Sequence, residues 1–445
     1  MHFRVIKIAD RGKRMLWRFG GLLFLGTILQ LRASAQEPVK LPLEEQLRRP
    51  FVELFSLTLE ERYTGDELKS VRSVLEKERD SQIEASKAAA KRYKEELQTA
   101  RKELAALNET GSRDTASDAL ERHDLHRRMA QLERDIRDTK DEQEIRIPLA
   151  FELKLAKLHI IQRWPERRAE IDRRIDKGQA RTRKHGDVED IGYRKWIDGQ
   201  DKDIAIGDQT VREMTANGSM PLEARQRDVQ DYVRTLATRI AKNSDLKVPL
   251  HVSVLDNPAP RAAALPGGFL FVTTGLIASA RQESELAAVL SREIGKMAAR
   301  HGTRPSKRAL IPKLFVPAAQ IATGFLTGGA SSAGMYYSMN YGFQGLGGLL
   351  DRAFTGSSEK SQKEADQLGI QYTWKAGFDP RGYLAFIDSV ASDKEAAKAA
   401  AFFGERSKFE KRIMDVFSEI QYLPPPEHPF ADSVDFKMAK WSLAH

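Results

Sequence analysis

The sequence predicts an α+β chain that is mainly helical, with one small β-sheet in its second half and a long helical coiled-coil hairpin before it. Three observations carry that prediction. Apolar residues recur every seven positions through much of 66–147. The run 282–301 places Leu286, Leu290, Ile294 and Met297 on one helical face. Two short stretches, 251–255 and 269–272, have the alternation or β-forming residues of strands, and the second follows the turn-forming pair Gly267 and Gly268.

At 445 residues the chain is long enough for two domains of ordinary size. Hydrophobic residues make up 41% and charged residues 30%, so a core is possible while much of the chain stays solvated. A formal charge of +9 favours weak attraction to anionic surfaces. Nucleic acid is not indicated, because no basic run is interleaved with aromatics. The absence of cysteine excludes disulfides, thiolate metal sites and thiol nucleophiles.

Residues 1–35 have the form of a signal peptide. Arg11, Lys13, Arg14 and Arg18 precede an apolar stretch, and Ala33-Ser34-Ala35 fits a cleavage site. The expectation is export, to a periplasmic or secreted location, with an uncleaved N-terminal membrane anchor as the alternative. Residues 36–65 read as a proline-containing linker with a small apolar patch at Phe51, Leu54, Phe55 and Leu57.

The heptad positions Ile83, Ala90, Leu97 and Leu104, with Ser86, Tyr93, Ala100 and Leu107, make one seam. Turn residues at 108–114 interrupt it, and Leu125, Met129, Leu132 and Ile136 make a second. An intramolecular antiparallel hairpin, pairing with a coiled-coil partner, and a solvated charged spacer all remain open for 66–147. A helical connector follows over 148–204, with Pro165 read as a break between a helix at 149–164 and a basic stretch at 167–184.

From residue 205 the chain changes character. Residues 228–243 form an amphipathic helix with Val229, Val233, Leu236 and Ile240 on one face. Residues 310–356 are rich in glycine, alanine and serine, and read as either a mobile lid or a membrane-surface contact. Helices are expected near 357–376, 380–391 and 407–419, and 431–445 reads as a C-terminal tail.

The 282–301 helix contains Arg292-Glu293-Ile294-Gly295-Lys296, an RExxK pattern whose first and last residues share a face. Zinc peptidases carry HExxH there, two histidines for the metal and a glutamate for the water. Around it stand Ala264-Leu265-Pro266-Gly267-Gly268-Phe269, Glu285-Leu286-Ala287-Ala288-Val289-Leu290 and Arg300-His301-Gly302. Further on come Gln362-Lys363-Glu364-Ala365-Asp366, Ala376-Gly377-Phe378-Asp379-Pro380 and His428-Pro429. In order and spacing these resemble the HtpX/BepA/Oma type of zinc metalloendopeptidase, a gluzincin-like family related to the CaaX prenyl protease, over 205–430.

The resemblance implies roles for particular positions. Glu293 stands at the general-base position and His428 at the oxyanion-donor position. Arg292, Lys296 and Gln362 stand where the family has its three metal ligands, so the zinc of the family is not expected and no cofactor is. Asp366 and Glu364 are expected near the site as ion-pair partners for the introduced cations. The strand Gly267, Gly268, Phe269, Leu270, Phe271 and Val272 is expected to receive an extended peptide. The expected function is an exported pseudo-peptidase binding peptides or unfolded proteins. The alternatives are an active zinc metalloendopeptidase with unusual ligands, and a coiled-coil scaffold with an inert second domain.

Overall fold

A computed structural model describes residues 41–109, 116–179, 183–195, 198–216, 222–258, 260–301, 303, 359–391, 409–425 and 432–445. The leader at 1–35, the glycine-rich 310–356 segment and His428 with Pro429 lie outside the described residues. No described helix is long and apolar enough to cross a membrane.

The chain opens with two short helices, α1 (Leu43–Arg48) and α2 (Phe51–Leu54). Two long helices follow, α3 (Gly65–Glu109) and α4 (Ala116–Asp141). A π-helical turn (Glu142–Arg146) leads into α5 (Ile147–Asp176). The second half contains α6 (Ile204–Ala216), α7 (Arg227–Lys242), β1 (His251–Leu255), β2 (Ala262–Leu265), β3 (Phe269–Thr273) and α8 (Thr274–Ser279). It ends with α9 (Glu283–Ala298), α10 (Glu359–Lys375), α11 (Gly382–Ala391), α12 (Phe409–Tyr422) and α13 (Val434–Ala444). The fold is therefore α+β, mostly helical, with a three-stranded sheet and long preceding helices.

Helices α3 and α4 lie against each other along the heptad seams. Leu97, Ala100, Leu125 and Leu132 are buried, whereas the charged positions between them face outward. The seam is thin in apolar area, and polar contacts contribute: Ser86 donates to Glu142 and Arg101 pairs with Glu133. The exposed Arg101–Glu133 pair adds little, on the order of 0–1 kcal/mol.

The structure corrects three expectations about the elements. Residues 41–65 of the expected linker belong to the folded body: Phe51, Leu54 and Leu57 are fully buried. Phe51, Phe55, Trp164 and Phe417 make an aromatic cluster in which Trp164 and Phe417 meet edge-on at 5.1 Å between centroids. Burying each such ring contributes roughly 1.5–3 kcal/mol. Pro165 does not end its helix, which runs on to Asp176. A proline forfeits one backbone hydrogen bond, but Trp164, Pro165 and Ile171 are all buried on the same helix, and that packing holds it together. The 431–445 tail is the helix α13, capped by Ser433 and anchored through Phe436 and Ala439.

The sheet has the order β1-β3-β2, with β1 parallel and β2 antiparallel to the central β3. Gly267 and Gly268 turn the chain between β2 and β3 at φ of +81° and +97°, a region closed to most side chains. Alternate residues serve two cores. Val254, Leu270 and Val272 join the main core, while Leu255, Leu265 and Phe271 pack with Met214 of α6.

Candidate functional site

The site is built where α9 crosses α10. The two backbones approach closely at Gly369, where an added Cβ would lie 2.7 Å from the Cα of Arg292. Gly295 allows the same approach from the other side, facing Leu368. This crossing brings Arg292, Glu293 and Lys296 of one helix beside Glu364 and Asp366 of the other.

Arg292 donates through Nε to Oδ1 of Asp366 at 2.7 Å and through a terminal nitrogen to Oε1 of Glu293 at 3.2 Å. Lys296 Nζ lies 2.8 Å from that same Glu293 oxygen. Asp366 receives a second guanidinium from α12, with Arg412 donating to both of its oxygens. Tyr383 of α11 donates its hydroxyl hydrogen to Asp366 Oδ1 at 2.8 Å and accepts from Arg412 at 2.6 Å. All of these groups except Lys296 are nearly free of solvent.

The electrostatics follow from that burial. Desolvation pushes the Asp366 carboxyl up, but Arg412 and Arg292 outweigh it and hold the group far below the usual carboxylate range. Arg292 is likewise disfavoured as a cation by burial, and Asp366 more than restores its charge. Tyr383 is held well above the ordinary phenol value, chiefly by burial.

A second polar pair adjoins the first. Helix α9 ends through Arg300, a non-glycine residue at φ +54°, held there by two 2.8 Å bonds to Asp203. The turn delivers His301 to Glu364, with Nε2 3.1 Å from Oε2. His185 approaches the other oxygen of Glu364 at 3.4 Å. Burial lowers the pKa of His301 despite Glu364 beside it, so the ring is neutral near pH 7 and donates to an ionised carboxylate. Gln362, half-buried, stands one turn before Asp366.

The donor set does not suit zinc. Guanidinium has no lone pair to give, and the lysine ammonium is tied to Glu293. Glu293 thereby faces two cations. Among the described residues no cluster of three or more His, Asp or Glu side chains is placed to hold a metal ion.

The expected peptide strand is also corrected. Residues 269–273 are the central strand, paired on both sides, and offer no free backbone edge. The outer edge of β1 is partly taken up by 222–224, through a bridge between Glu223 and Leu255. The outer edge of β2 pairs with no other described strand, and α9 packs against β2. The Arg261–Thr273 backbone bond sets the alternation, so Ala262 and Ala264 present their N–H and C=O groups outward.

Residues 223–426 match the sequence profile of peptidase family M48. This segment is an M48 peptidase domain. The chain is 28% identical over 250 residues to a beta-barrel assembly-enhancing protease of Yersinia pestis, covering 55% of this chain and 48% of that protein. Identity to the mitochondrial metalloendopeptidase OMA1 of Schizosaccharomyces pombe is 32% over 191 residues, or 42% of this chain and 51% of the relative. The beta-barrel assembly-enhancing protease of Escherichia coli K12 is 27% identical over 246 residues, 54% of this chain and 47% of its own length. The chain thus spans about half the length of the curated relatives it matches.

Around the M48 helix, sequence reasoning overlooked Arg412, Tyr383 and His185. Arg412 carried a signal: it interrupts the apolar stripe Phe409, Ile413 and Val416 and is itself buried. An arginine on a buried face asks for a carboxylate partner. His185, in an irregular segment, carried none.

Proposed function

We propose that this chain is an M48-fold pseudo-peptidase that holds extended peptide or unfolded protein without cleaving it. The observation that carries the reading is Arg292. It stands at the first ligand position of the family and is committed to Asp366 and Glu293. Without a metal-activated water, Glu293 has no nucleophile to deprotonate. Peptide would add to the open edge of β2, bonding to the outward groups of Ala262 and Ala264 and leaving β3 undisturbed. Export directed by the first 35 residues is part of the proposal. The alternative, an active zinc metalloendopeptidase, draws its support from the relatives named as proteases.

Two measurements test this. Purified protein is assayed for zinc content and for cleavage of unfolded substrates. The proposal expects no stoichiometric zinc, and no cleavage that Glu293→Gln removes. A chelator-sensitive activity abolished by Glu293→Gln would establish the alternative. Peptide binding is then compared with Ala264→Pro, which deletes an outward N–H and spares the ladder to β3. The variant should fold and lose peptide binding; binding unchanged would rule out the β2 edge.

A further inference from the structure

A groove of about 620 Å³ runs along α5, away from the α9–α10 crossing in sequence and built mostly from residues before the M48 domain. Four arginines line it: Arg62, just after α2, and Arg163, Arg167 and Arg173 on α5. Only two carboxylates line it with them, Glu166 and Glu170, which leaves an excess of positive charge. Arg62 is taken by Glu166 at 3.3 Å and Arg167 by Glu170 at 2.8 Å. Arg173 donates its Nε to the carbonyl of Ala169 at 3.1 Å and has no carboxylate partner among the described residues. Arg163, on the exposed face, has no carboxylate partner among the described residues. Leu59, Met414 of α12 and His159 complete the lining together with Ala169, so apolar side chains adjoin the arginines.

We infer that this groove binds a phosphate-bearing anion, with Arg163 and Arg173 as its donors. The planar fork of guanidinium matches two phosphate oxygens at once. The space exceeds that of a bare ion and falls in the range of organic-ligand pockets, so the phosphate would carry an organic group over Leu59 and Met414. A lipid headgroup and a soluble phosphate ester share this chemistry. The inference stands independently of the reading of α9, since none of its donors touches that site.

The test uses the full chain with two probes, inorganic pyrophosphate and vesicles of phosphatidylglycerol in phosphatidylcholine. Arg163→Ala with Arg173→Ala is compared with Lys69→Ala and Lys91→Ala, exposed positions on α3 whose loss removes the same charge. Circular dichroism confirms that each variant folds. The groove pair should weaken binding at least about tenfold, and the α3 pair should leave it unchanged. Response to both probes identifies the phosphate group as sufficient, and response to the vesicles alone identifies a headgroup. Equal weakening by both pairs, which is the behaviour of net charge alone, would overturn the inference. So would failure of the unaltered protein to bind either probe above pure phosphatidylcholine and chloride controls.

Discussion

Arg292 and Arg412 converge on one carboxylate, Asp366, so the crossing of α9 and α10 depends on a buried anion flanked by two cations. Removing one member of such a cluster is costly because the others remain buried and uncompensated. Asp366→Asn should therefore destabilise the protein by about 3–5 kcal/mol in urea unfolding. Replacement of Lys296, which is less deeply buried, should cost far less. A loss under about 1 kcal/mol for Asp366→Asn would mean that the two guanidiniums find other partners. At this scale the sequence was partly legible: Arg292, Glu293, Lys296 and Asp366 stand out from the spacing of a known motif. Arg412 shows there only as a break in an apolar stripe and Tyr383 not at all, because their roles arise from α11 and α12 folding back over α10.

At the scale of elements, the approach of α9 to α10 depends on the absence of a side chain at Gly369. An alanine there would press its Cβ against the backbone of Arg292, which cannot yield as a flexible side chain would. Gly369→Ala should cost about 1–3 kcal/mol, as overpacking does, although alanine is the better helix former. Thermal unfolding of this variant checks it; a gain in stability would show that the two helices separate easily. The long helices were legible because their heptads run through stretches nearly free of breakers on either side of 108–114, but that α3 packs on α4 was one of three readings the sequence left open. The position of β3 was not, since a β-forming run looks the same at the centre of a sheet as at its edge. Pro165 misled for a related reason: a local rule was outweighed by burial of neighbours on the same helix.

For the whole molecule, the clearest lever is pH. Glu419 is fully enclosed, and burial pushes its carboxyl up to about 7 even though Arg183 and Gln371 pull the other way. A raised folded-state value means that its contribution is complete below the unfolded value near 4.5 and is lost as pH rises through 7. Asp366 and Glu364 have lowered values and act oppositely, stabilising above the ordinary carboxylate range and failing as pH falls. His301, also lowered, loses stability below about 6.5 and so opposes Glu419 in the same window. The difference between variant and parent isolates Glu419. The melting temperature of Glu419→Gln, relative to the unaltered protein, should rise steadily between about pH 5 and pH 8. A difference independent of pH would show that Glu419 does not titrate in that range.

The sequence by itself determined the helical character, the heptad pattern, the peptidase-like order of motifs and the presence of arginine and lysine at the ends of RExxK, where HExxH carries histidines. Those properties reside in local spacing and in which atoms carry lone pairs. Only the tertiary structure decided that Phe51 belongs to the core, that β3 is the central strand, and that two arginines share Asp366. Each of these joins residues far apart in the chain, and their pairing is set by packing between helices, about which local periodicity is silent.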